Sequence, residues 1–176
     1  MHGVIIENNA NLYSIIDKNK SIYTATARGK FKNKEMIPTV GDKVQFDIID
    51  DNKKTAVIEK IEPRINWIKR PKIANITQII FVVSMNNPKP DLLLLDKQLA
   101  FAEIHGLKSI IVLNKCDIAD KDEIESIADK YKKIGYEVIQ AKAKQLVGID
   151  ELREKLKNQT SVFSGNSGVG KSTIIN

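Results

Sequence analysis

At 176 residues, with 42% apolar and 28% charged side chains, the chain has room for one domain or two small ones, each with a buried core, and its composition is that of an ordinary soluble globular protein. Its longest apolar runs, 79–83 and 110–113, are of strand length, which excludes a membrane-spanning helix, and the opening Met1-His2-Gly3 begins no secretory signal. One cysteine, Cys116, and two histidines, His2 and His105, exclude a disulfide framework and a Cys/His zinc site within the chain, and they fit a reducing cytoplasm.

Residues 4–7, 12–16, 22–27, 44–48 and 56–61 read as short strands separated by polar turns such as Asn8-Asn9-Ala10 and Asp50-Asp51-Asn52. Close spacing without helical periodicity predicts a small all-β closed barrel over residues 1–65, of the oligonucleotide-binding (OB) type. Residues 66–72, at the proline-flanked stretch from Pro63 to Pro71, are expected to be a linker. From residue 73 to 176 the pattern changes to alternating strands and helices. Residues 78–84 form a continuous apolar run, as for a strand covered on both faces. A helix over 91–105 places Leu92, Leu95, Leu99 and Ala102 on one face, with Asp91 as its cap, Gly106 at its end and His105 complementing its C-terminus. Strands at 109–113, 137–140 and 161–164, and helices at 122–134, 149–156 and from Lys171 onward, complete a β-α succession. That succession predicts a mostly parallel sheet with helices on both sides.

Two motifs carry chemistry. Gly165-Asn166-Ser167-Gly168-Val169-Gly170-Lys171-Ser172 fits G-x-x-x-x-G-K-[ST] between a predicted strand and a predicted helix. Consecutive backbone N–H groups there make a concave site for phosphate oxygens, and the glycines let the backbone approach without a Cβ. Lys171 would reach the β and γ phosphates and share the charge developing during transfer, which makes it the expected catalytic side chain. The Ser172 hydroxyl would hold Mg²⁺, and Thr173 would offer its N–H to the α phosphate. Asn114-Lys115-Cys116-Asp117 follows an apolar strand, where ligands bind in open parallel sheets. Asp117 can accept from both N1–H and N2–H of guanine, a pair that adenine does not offer. Asn114 would tie this loop to the phosphate loop, the Lys115 methylenes would cover the base, and Cys116 fills the variable position. A third contact to guanine O6 is expected from a backbone N–H of Ala141-Lys142 or of Ala143-Lys144, the latter preferred because it leaves the shorter connection to the next helix.

The order of these motifs is unusual. The phosphate loop commonly opens such a domain, whereas here it follows the guanine motif and lies near Asn176, so the segments read as a circularly permuted P-loop GTPase domain, incomplete at its C-terminus. An ATP-dependent kinase or ATPase would give Asp117 no role. The net charge is +6, and residues 1–70 hold 13 Lys and Arg against 9 Asp and Glu. Such an excess suits solubility as well as RNA. Arg28, Lys30, Lys32 and Lys34 alternate around Phe31; on an extended ribbon they would present a charged edge to a phosphate backbone, or Phe31 could tuck against the barrel beneath a solvated loop. Trp67 could stack on a base or pack at a domain junction.

Taken in order, Arg28-Gly29-Lys30-Phe31, Val40-Gly41-Asp42-Lys43-Val44, Arg70-Pro71, Ala74-Asn75-Ile76, Pro90-Asp91, Leu113 to Asp117, and Gly165 to Thr173 with Asn176 resemble the RsgA family of circularly permuted bacterial GTPases. The likeness spans the whole chain. Thr77 stands where an aspartate is common, and the segment before Lys144 lacks its serine. The resemblance implies a GTP-hydrolysing factor of late 30S subunit maturation whose OB barrel contacts 16S ribosomal RNA. It further implies a cytoplasmic protein, taken here as a monomer, with GTP/GDP and the 30S subunit as partners. It places the switch I threonine, a D-x-x-G segment and a zinc-binding domain beyond residue 176, so zinc is expected only there and this fragment is expected not to turn GTP over. A non-catalytic RNA- or ribosome-binding fragment with weak or no GTP affinity is the alternative.

Overall fold

Buried and exposed side chains alternate along much of the first five strands, which lets them close into a barrel with the buried set inside. The computed structural model describes residues 1–31, 37–69 and 71–176, which divide into two units, Met1–Ile76 and Thr77–Asn176. In the first, β1 (His2–Asn9), β2 (Leu12–Asp17), β3 (Ile22–Ala27), β4 (Lys43–Asp50) and β5 (Thr55–Ile61) run in the order β1-β2-β3-β5-β4, and β4 pairs back onto β1. The β3–β5 pairing is parallel and the others antiparallel. Ile5, Ile15, Val44, Phe46 and Ile58 are fully buried in the interior. Register shifts in β1 and β4 bend those strands, as closure of so small a sheet requires. This is the expected OB-type barrel.

After β3 the chain makes a 3-10 turn, Gly29–Phe31, in which Phe31 N–H donates to Arg28 C=O at 3.0 Å. An extended ribbon therefore does not begin at Arg28. Alternation of charge alone sets no backbone conformation, and Phe31 instead packs against the barrel core.

An ion pair fixes the polypeptide that follows β5. Asp42 is fully buried, and it accepts from Arg64 Nε at 2.7 Å, from Arg64 Nη2 at 2.8 Å and from Thr39 N–H at 2.8 Å. The remaining reach of Arg64 Nη2 goes to Ile37 C=O at 2.8 Å. Next come two short strands, β6 (Trp67–Ile68) and β7 (Ile73–Ala74), paired antiparallel with Trp67 opposite Ala74. The Arg64 guanidinium lies 5.6 Å from the centre of the half-exposed Trp67 ring, a cation–π contact within this unit.

The second unit holds a four-stranded parallel sheet in the order β10-β9-β8-β11, built from β8 (Gln78–Ser84), β9 (Lys108–Asn114), β10 (Glu137–Gln140) and β11 (Ser161–Ser164). All seven residues of β8 are buried: the apolar run 79–83, as expected, and the polar Gln78 and Ser84 at its ends. Helices α3 (Ile149–Leu156) and α4 (Lys171–Ile175) supply Ile149, Leu152 and Ile174 to a core with Ile80, Val82, Ile110 and Val112 on one face. Helices α1 (Leu92–Ile104) and α2 (Lys121–Lys133) bury Leu95, Leu99, Ile124 and Tyr131 outside that cluster, on the other face. Tyr131 Oη donates to Asp96 at 2.6 Å, joining α2 to α1. Asp91 caps α1 by accepting Leu94 N–H at 3.0 Å, and His105 Nδ1 lies 2.8 Å from Phe101 C=O at its other end. Among the described residues no helix is long and apolar enough to cross a membrane.

Candidate functional site

The chain leaves β8 toward β9 and then β10, and it returns to β11 on the opposite side of β8. Neighbouring connections therefore diverge at the C-terminal strand ends, where ligands bind in open α/β sheets. Ser84 pairs with Asn114 in register at those ends, and the segment after β11 is the phosphate loop.

The loop from Gly165 to Ser172 is pinned from below by Val169, whose side chain is buried in the core that α3 and α4 share. Two of its glycines are required. Gly165 has φ +149° and passes so close to Val82 C=O that a Cβ would collide with it; Gly170 has φ +99°, and a Cβ there would strike Asn114 Nδ2. Lys171 Nζ donates to Gly165 C=O at 2.7 Å and Asn166 C=O at 2.8 Å, so its ammonium lies across the loop. Asn166, Ser167 and Gly168 are exposed, as are Ser172 and Thr173 in the first turn of α4.

Asn114 joins three segments. Its Nδ2 donates to Val169 C=O at 2.9 Å, and its Oδ1 accepts Ala143 N–H at 3.3 Å, while the residue itself is 2% exposed. Lys115, at φ +63°, turns its side chain the same way, and Nζ donates to Gly168 C=O at 2.7 Å and to Asn87 C=O. Cys116 N–H donates to Ala141 C=O at 3.2 Å, and its thiol donates to Leu113 C=O at 3.1 Å. Burial pushes the Cys116 thiol above its ordinary pKa, and the adjacent Asp117 charge pushes the same way, so the sulfur stays protonated and weakly nucleophilic at neutral pH.

These segments enclose a cleft of about 290 Å³, near the lower end of the usual size for small-molecule sites. Asn114, Lys115, Asp117 and Ile118 form one wall, Ala143 and Lys144 a second, and Gly170 with Thr173 the floor. Of the two registers weighed for the third guanine contact, Ala143-Lys144 lines the cleft. Ala141 instead lies beneath it, fully buried, and the Lys142 backbone pairs with Val147.

Asn87 also lines the cleft, and sequence reasoning missed it. The available signal was Asn86-Asn87-Pro88, a turn-forming cluster between a predicted strand and a predicted helix. The basic residues of the first unit are placed differently. Arg28 forms a 2.6 Å ion pair with Glu59, and Phe31 is half-buried. Lys32, Lys34, Arg70 and the side chain of Lys30 lie outside the described residues. Among the described residues no group of three or more His, Cys, Asp or Glu is arranged to hold a metal ion. Ser172 offers one exposed hydroxyl at the phosphate loop, a ligand type that suits Mg²⁺ sharing phosphate oxygens and water.

Comparison with known proteins agrees with this arrangement. Residues 2–58 match the family model of the RsgA N-terminal domain, and residues 61–176 match that of the RsgA GTPase. The small ribosomal subunit biogenesis GTPase RsgA of Clostridium kluyveri is 42% identical over 176 residues, covering 100% of this chain and 60% of its own length. The protein of that name from Alkaliphilus metalliredigens is 37% identical, with 99% and 59% covered. The crystal structure of YjeQ from Thermotoga maritima superposes with a TM-score of 0.87 at 31% identity, over 99% of this chain and 63% of that one. YloQ, described as a circularly permuted GTPase, gives 0.83 at 30%, over 98% and 62%. The chain thus spans about 60% of the length of the relatives it matches. With both of its units matched by models of one family, and 42% identity to a relative along its whole length, the chain belongs to the RsgA GTPase family.

Proposed function

We propose that the complete protein binds and hydrolyses GTP as a factor in late maturation of the 30S ribosomal subunit, in the cytoplasm and as a monomer. The observation that carries this reading is Asn114, which bonds at once to the phosphate loop and to Ala143, so that one nucleotide can span both loops. Asp117 takes the N1–H and N2–H of guanine, and the N–H of Lys144 is the donor to O6, since that of Ala143 is already given to Asn114. The aliphatic part of Lys115 lies along the base. The backbone from Gly165 to Gly170, with the N–H groups of Ser172 and Thr173, surrounds the phosphates. On binding, Lys171 exchanges its two carbonyl partners for phosphate oxygens, a stronger charge-assisted interaction. Ser172 would offer Oγ to Mg²⁺, which when bound neutralises phosphate charge.

The described residues supply phosphate and base contacts, and no group among them is assigned to orient the attacking water; the 176 residues alone are expected to bind GTP without appreciable turnover. The barrel is the proposed contact with 16S ribosomal RNA, through Arg28, Phe31 and the lysines at 30, 32 and 34. Zinc belongs to a domain past residue 176 in this reading.

The base contact has a direct test. Asp117→Asn replaces one acceptor by a donor and should shift preference from GTP to xanthosine triphosphate, measured by competition binding. An unchanged preference removes Asp117 from its role. Steady-state GTP turnover by the complete protein, with and without 30S subunits, tests the rest; equal and negligible rates in both would leave a non-catalytic ribosome-binding protein.

A further inference from the structure

The connection from β8 to α1 touches the guanine loop at three points that the two motifs do not account for. Met85 N–H donates to Asn114 C=O at 2.9 Å, continuing the sheet by one residue. The Asn87 carbonyl accepts from Lys115 Nζ. Between them, Asn86 Nδ2 donates to Ile118 C=O, and Asn86's own carbonyl accepts from buried Ser84 Oγ at 2.6 Å. Asn86 is exposed, yet its amide is directed to a backbone carbonyl across the cleft rim.

We infer that Asn86 is a positioning residue for guanine selection, acting through Ile118 on the carboxylate of Asp117. The inference rests on the assignment of Asp117 as the guanine acceptor. Asp117 itself is exposed and belongs to no strand or helix. Three hydrogen bonds of neighbouring residues hold the turn it sits in, one of them from Ile118 N–H to Lys115 C=O at 3.2 Å. Cys116 N–H is tied to Ala141 C=O before it, and Ile118 C=O is tied to Asn86 after it. A two-point contact to N1–H and N2–H needs both carboxylate oxygens in the plane of the base, because hydrogen bonds weaken steeply with misalignment. With the second tie removed, the carboxylate can still meet one donor but is no longer aligned for two. The phosphate loop receives no bond from Asn86, so the loss is confined to the base.

Inosine diphosphate separates the base from the phosphates, since it carries N1–H and lacks the exocyclic amine. Affinities of the 176-residue chain for GDP and IDP are measured by calorimetry for the native sequence, Asn86→Ala and Asn86→Leu, the last filling similar volume without a donor. GDP affinity should fall about three- to tenfold, the loss of one hydrogen bond. IDP affinity should fall less, so the GDP-to-IDP preference narrows. An unchanged preference in both variants, whether or not both affinities fall together, overturns the inference, because support of the fold alone cannot distinguish the two bases. A native chain that does not prefer GDP to IDP instead brings down the assignment of Asp117. Thermal unfolding midpoints verify that the exposed substitutions leave the fold intact.

Discussion

Asn114→Ala is expected to weaken GDP binding by about thirtyfold or more, which corresponds to roughly 2 kcal/mol. The substitution leaves Val169 C=O and Ala143 N–H without the partner each now has, in a place where Asn114 is 2% exposed. A buried polar group without a partner costs about 1–3 kcal/mol, so two of them outweigh any gain from the smaller side chain. The distinctive feature is breadth. Asn114 does not touch guanine in this reading, yet its loss should loosen both loops, so affinity for inorganic pyrophosphate should fall along with that for GDP. Asp117→Asn, by contrast, should leave pyrophosphate unaffected. Calorimetric titration of both ligands against both variants tests this directly. A variant at Asn114 that loses GDP alone would reduce the residue to a base contact, and one that loses neither would remove the bridge from the account.

Arg64→Ala should destabilise the first unit by about 3–5 kcal/mol, the usual cost of leaving a buried charge without its partner. The reason is Asp42, fully buried and dependent on Arg64 for two of its three hydrogen bonds. The guanidinium also holds Ile37 C=O, so the segment from 37 to 42 loses its tie to the chain beyond β5. The single tryptophan, Trp67, lies in this unit and reports its unfolding in urea. Adding Asp42→Asn should restore part of the loss, since the amide keeps an acceptor for Thr39 N–H and carries no charge. A loss below about 1 kcal/mol, the range of exposed pairs, would mean that water reaches Asp42.

The barrel and the parallel sheet could be read from the chain because alternation and unbroken apolar runs are local signals that tertiary packing reinforced. The phosphate loop and the guanine motif were legible for the same reason: each places its residues within a few positions of one another. What joins them was only partly so. A tie from Asn114 to the phosphate loop was expected, but its second partner, Ala143, and the carbonyl it meets, Val169, depend on how three connections converge. The contacts of Asn86 and Asn87 were hidden because a turn-forming cluster gives no hint of which groups will lie across from it. Arg64 and Asp42 are 22 positions apart, and nothing in their spacing signals that they pair. Of the two arrangements weighed around Phe31, the structure shows its ring against the barrel, while Lys32 and Lys34 lie outside the described residues.

The bridge at Asn114 also bears on how the molecule is born. A ribosome releases the guanine loop well before Val169, so during synthesis the side chain that will span the site waits with half of its destination unmade. On the proposed reading, affinity for the nucleotide should therefore arrive late and abruptly in the nascent chain, when residues 165–172 dock, and a chain cut short of them is expected to show no measurable GTP binding.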